Sequence, residues 1–171
     1  MKSNFLVLHL ELLIILFCQK AFSDEKDYIF SLNTGSYLNH IGSHNSEYVQ
    51  RFDNKTVILG IKSSDSTSIS VGSFLNSFNN HCFLLGIEKN WHHFNNKLSF
   101  EGLYAYAGEF FFNKFDNCGN NGVYNTAKDK LGIAAVPYIY HGFEYDFTSF
   151  MSLQVGIILP NLFVSTIQWK Y

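Results

Sequence analysis

Past residue 24 the chain never strings together the roughly 18–20 apolar residues that a helical membrane span requires. It alternates apolar with polar positions instead, segment after segment. Period-two alternation is the mark of a β-strand with one greasy and one wet face. Aromatic content fits that geometry, with 18 Phe and 10 Tyr against only 2 Pro, in a chain whose mean hydropathy is zero. Aromatic and β-branched side chains suit a pleated, half-buried surface. The alternating segments are separated by Asn, Ser, Asp and Gly, and they predict strands over 28–40, 55–63, 67–76, 81–90, 97–113, 131–145, 150–159 and 162–171.

The connections alternate in length. The two longest follow the first and fifth strands, and the longer of them is the polar stretch 114–130 (KFDNCGNNGVYNTAKDK). In an even-stranded barrel with both termini in the periplasm, the odd-numbered connections are the extracellular ones, where long loops are the rule. One face of each strand is apolar: Val57, Leu59 and Ile61 in the second, Ile69, Val71 and Leu75 in the third, Phe83, Leu85 and Ile87 in the fourth. The last two strands repeat the pattern with Leu153, Val155 and Ile157, then Ile167, Trp169 and Tyr171. The expected fold is all-β, an eight-stranded antiparallel up-and-down transmembrane β-barrel over 24–171, placed in the outer membrane. Closure satisfies every backbone N–H and C=O, which lipid cannot do. The competing arrangement is a sandwich whose apolar faces meet each other. The aromatic Tyr171 points to delivery by a barrel-assembly machinery.

Residues 1–23 read as a signal peptide. Lys2 is a weak positive start, Leu12 to Cys18 is a short apolar run, and Ala21-Phe22-Ser23 puts small residues at the cleavage positions. Export leaves Cys82 and Cys118. An oxidising compartment permits a disulfide, but their spacing alone does not separate a bond from two free thiols. Net charge is −2 with no basic block, so no nucleic-acid footprint is expected. His81, His92, His93 and His141 read as rim residues without zinc-site spacing, and neither metal nor cofactor is expected. The barrel is expected to be a monomer.

The inward face is expected to be polar in the lower half, with Ser68, Ser70, Glu88, Glu101, Gln154 and Gln168, and with Lys62 and Lys170 to serve Glu88 and Glu101. Its upper half holds Gly35, Tyr37, Ile58, Gly72, Phe74, Leu84, Ala105, Ala107, Gly156 and Ile158, with Glu109 the exception. An eight-stranded interior is wide enough to be filled by side chains or to hold one small ligand. The upper half suits a lipid acyl chain, or else its own side chains fill it. Pro137 lies inside the sixth strand and Pro160 ends the seventh. Each lacks a ladder donor, which opens a lateral gate or simply makes a bulge or turn.

The stretch SVGSFLNSFNNHCFLLGIEKNW, the prolines of AAVPYIYHGFEYDF and SLQVGIILPN, and a polar, His-containing loop after the first strand together resemble the PagP lipid A palmitoyltransferase family. The resemblance covers most of residues 24–171 in layout. It implies an outer-membrane enzyme that moves a phospholipid acyl chain to lipid A, with Ile58, Gly72, Phe74, Leu84, Ala105, Ala107, Gly156 and Ile158 as the acyl-chain pocket. It implies His40 as base, with His44 in reserve, and Ser77 as hydroxyl. Asn76 stands where the family has aspartate. An amide cannot hold an imidazolium as a carboxylate does, but it can donate to an oxyanion. Membrane phospholipid and lipid A are the implied partners. The alternative function is a non-enzymatic barrel acting through its outer loops in adhesion, phage exclusion or envelope integrity.

Overall fold

The computed structural model describes residues 30–42, 49–64, 66–110 and 113–171. The expected strands are present with shifted ends: β1 Phe30–His40, β2 Arg51–Asp53, β3 Val57–Ser64, β4 Thr67–Leu75, β5 His81–His93, β6 Leu98–Gly108, β7 Ala135–Thr148, β8 Met151–Ile158 and β9 Leu162–Lys170. Neighbours pair antiparallel in chain order, and β1 pairs with β9 to close the ring. The short β2 continues the edge of β3 along β1, so the ring is a closed eight-stranded antiparallel barrel. Phe30 and Tyr171 exchange backbone hydrogen bonds at the lower end, which pins the two ends of the described barrel together. No helix among the described residues is long and apolar enough to cross a membrane.

Facing follows the alternation. Val57, Leu59, Ile61, Ile69, Leu85, Ile87 and Ile157 are exposed on the outer wall. Leu75 is a correction: it is buried, because the link between β2 and β3 crosses to it and its N–H donates to Asn54 O. A second correction concerns β1. Gly35 and Tyr37 were expected inside, but Tyr37 is 46% exposed while Ser36 and Leu38 are buried. Gly35 sits at φ +64 in a break of register between Thr34 and Tyr37, and one extra residue flips every side chain that follows. Nothing lies within 4 Å of where a Cβ at Gly35 would stand, so its cost is purely conformational. Gly35→Ala is expected to lose about 1–2 kcal/mol, measured as a lower urea midpoint at unchanged slope.

The longest connection is not an open loop. Asn113–Asn120 forms a 3₁₀ helix and Gly122–Leu131 forms α1, so the fifth predicted strand stops at Gly108 and the sixth starts only at Ala135. Gly132, at φ +77, caps α1 with its N–H on Lys128 O. Cys82 and Cys118 are bonded and fully buried, which decides the question their spacing left open. Glu109 accepts from Lys128 Nζ at 2.9 Å and from Ala134 N–H, so the lone acid of the upper half holds these helices. The hydrogen bond to Glu109 holds the Lys128 ammonium above its ordinary pKa. Tyr124 of α1 packs against the interior cluster, and burial raises its phenol.

Candidate functional site

His40 closes β1 at the upper rim, one residue above Asn39, whose side-chain oxygen accepts from Arg51 on the outer wall. The His40 ring turns inward and lies 6.5 Å from Phe52 in a stacked arrangement. Phe52 in turn rests on the interior cluster. The backbone fixes this corner twice, through His40 N–H on Gln50 O and Ile41 N–H on Asn161 O.

Across the rim, Ser77 follows β4 in a tight turn built by Asn76. Asn76 Oδ1 accepts from the N–H groups of Phe78 and Asn80, both at 3.0 Å, the side-chain turn that Asn favours. Ser77 O accepts from Val49 N–H, which ties the turn to the loop after β1. The outcome is that His40 Nε2 and Ser77 Oγ lie 2.8 Å apart, although 37 residues separate them. The ring nitrogen in contact with a hydroxyl is the placement a general base needs. Asn76 is buried, and its Nδ2 has no hydrogen-bond partner among the described residues. Asn76 directly precedes Ser77, and an amide N–H is a group able to serve an oxyanion. His44 lies outside the described residues.

No family model and no curated protein matches this chain. The site therefore rests on its own geometry.

Beneath the pair, Ile58, Phe74, Leu84, Ala105, Ala107 and Ile158 meet in one buried cluster, as their alternation predicts. Leu84 is fully buried, worth about 1.5–3 kcal/mol of transfer energy. Gly72 and Gly156 keep backbones close there: a Cβ at Gly156 would press on the Tyr140 ring, and one at Gly72 on Ile58. The missing element was β7, whose facing the sequence left ambiguous. Tyr138 packs on Phe74 with ring centroids 5.6 Å apart, and Tyr140 lies over Gly142 and Gly156. Two tyrosines thus lie among the small residues. The sequence signal was the YIYHGFEYDF alternation, which an internal proline obscured. Phe52 and Asn54 were also missed, because the Arg-Phe-Asp alternation of β2 is only three residues long.

The prolines stand at an interruption of the wall. The β7–β8 ladder ends at Tyr140 and Ile158, with one further bond from Leu159 N–H to Ile139 O. Above it, Ala135 to Tyr138 have no β8 partner, and both Pro137 and Pro160 are exposed. On the outer wall, Val57, Leu59, Val71, Phe83 and Phe115 line an open apolar groove of about 330 Å³. One further expectation needs correction. His141 is not at the rim but midway along β7, with Nε2 at 2.5 Å from the Tyr104 hydroxyl. Lys170 makes ion pairs with Glu144 and Asp146, and its charge also reaches Glu88 and Glu101.

Proposed function

We propose that this chain is an outer-membrane barrel that transfers an acyl chain from a phospholipid to lipid A, using His40 and Ser77 at the outer rim. The observation that carries the proposal is the 2.8 Å contact of His40 Nε2 with Ser77 Oγ, above an apolar interior and beside the orphaned amide of Asn76. The exposed apolar wall supports a lipid setting, and the resemblance to the PagP family supports the reaction.

The chemistry balances with these groups alone. Neutral His40 takes the Ser77 proton as Oγ attacks the ester carbonyl, and Asn76 Nδ2 donates to the oxyanion. Collapse expels the lysophospholipid alkoxide, which takes the proton from His40. An acceptor hydroxyl of lipid A then attacks the acyl-serine, His40 removes its proton and returns it to Ser77. The donor chain passes between β7 and β8 beside Pro137 and Pro160 and lies against Leu84, Ala105, Ala107 and Ile158. Tyr140, across Gly142 and Gly156, forms its floor.

Cells producing the folded chain are expected to yield lipid A heavier by one acyl chain in mass spectra, with one equivalent of lysophospholipid formed. Unaltered lipid A with abundant folded barrel in the outer membrane would defeat the enzyme reading. The alternative, a non-enzymatic barrel acting through its outer surface, draws on Asn76 in place of a carboxylate and on the helical cap over the mouth.

A further inference from the structure

Below Tyr140 the barrel interior carries a layer with a different chemistry, unused by the reaction at the rim. Glu88, Glu101 and Glu144 from β5, β6 and β7 bring one carboxylate oxygen each within 4.8 Å of one another. Glu101 is 2% exposed and Glu144 4%. Their partners do not match the demand. Lys170 is shared between Glu144 and Asp146. Glu88 Oε1 accepts two neutral amides, Gln154 Nε2 and Gln168 Nε2, each at 3.2 Å. Glu101 Oε1 has no hydrogen-bond partner among the described residues.

Two further buried oxygens border this layer, both without a hydrogen-bond partner among the described residues. Gln168 is fully buried, and its Nε2 is spent on Glu88, which leaves its Oε1 beside that carboxyl. Tyr140 is 7% exposed, and its hydroxyl lies over Gly142, which is opposite Glu101 in the β6–β7 ladder. Buried polar atoms are rarely left orphaned, and where they are, a bound ion is one of the standard reasons. Carboxyls buried together share protons, are paired, or coordinate a metal; Glu101 and Glu144 are within hydrogen-bond reach of each other, so the ion would displace the proton between them.

We propose that Glu88, Glu101 and Glu144, with Gln168 Oε1, bind one calcium ion inside the barrel. All the donors are hard oxygens, with neither sulfur nor imidazole, which selects a hard cation. Calcium takes oxygens at about 2.3–2.6 Å in flexible geometry, whereas magnesium demands a near-ideal octahedron at about 2.1 Å and gives up its waters reluctantly. Donors from three strands lying within 4.8 Å of one another suit the more adaptable ion. Lys170 keeps its place on Asp146 and the outer edge of Glu144, and the ion takes the side facing Glu88 and Glu101.

The test uses the full chain refolded from denaturant into detergent without lipopolysaccharide, so that lipid-borne calcium is excluded. Titration calorimetry with calcium chloride is expected to give one site per chain. Thermal unfolding followed by circular dichroism is expected to occur at higher temperature in calcium chloride than in EDTA, with magnesium chloride giving a smaller gain. Glu101→Gln keeps the shape and removes one charge, and is expected to weaken calcium binding by at least about tenfold. Glu88→Gln gives the same readout if that variant does not fold. Equal unfolding temperatures in calcium and EDTA with no titration heat would overturn the proposal. So would undiminished binding in the folded variants, or protons alone satisfying the carboxylates.

Discussion

Ser77→Ala is expected to lower acyl transfer by about 10²–10⁴-fold, and His40→Ala by a similar factor, with the double variant no worse than either single one. The two atoms in contact at 2.8 Å act as one unit, and losses within a unit do not add. A pair that merely shapes the rim would give additive, small changes in stability and none in turnover. Asn76→Asp separates two roles for the neighbouring residue. An aspartate oxygen can still accept from Phe78 and Asn80, so the turn survives, but the orphaned Nδ2 donor is gone. If Asn76 serves the oxyanion, turnover falls by about 10²-fold. If it is a degraded orienting residue, turnover rises instead, because a carboxylate stabilises the imidazolium that Asn cannot. Lipid A mass spectrometry on matched amounts of folded barrel reads both outcomes.

The barrel was legible because strand facing depends only on period two, and the outward and inward sets hold wherever the ladder is regular. His40 and Ser77 were singled out through the family resemblance alone; the structure sets both at strand ends on one rim, where ring closure brings them within reach. What escaped the sequence lies where regularity breaks. One extra residue at Gly35 reversed the facing of Tyr37, and no residue pattern announces a bulge whose only requirement is a positive φ. Tyr138 and Tyr140 were hidden because Pro137 interrupts the alternation that would have aimed them inward. The helical cap over 113–131 was invisible to periodicity. Its helix has no fully buried residue and sets only Tyr124 against the interior cluster, and the cap is further held by the Cys82–Cys118 bond, by Glu109 on Lys128, and by Asn80 Nδ2 on Asn121 Oδ1. The ion pairs of Lys170 with Glu144 and Asp146 were not foreseen, because alternation fixes the side of the wall a residue faces, not its height along the axis.

That cap makes the second large effect predictable. The Cys82–Cys118 bond closes a separation of 36 residues, which corresponds to about 4 kcal/mol of constraint on the unfolded chain. Replacing both cysteines by alanine is therefore expected to cost about 2–5 kcal/mol, seen as a lower unfolding midpoint. Alanine avoids burying two new hydroxyls where both sulfurs are fully buried. The loss should not be uniform. Amide exchange is expected to accelerate in the 3₁₀ helix and α1, whose remaining ties are few, while the β4–β5 and β5–β6 ladders keep their protection. Activity then divides the two functions. Among the described residues the cap meets the Ser77 turn through Asn80–Asn121 and Phe78 against Gly122, so acyl transfer should fall modestly while the barrel stands. A function exerted by the outer surface would vanish with the ordered cap, and that pattern, with transfer absent in both forms, would assign the chain to adhesion or exclusion rather than catalysis.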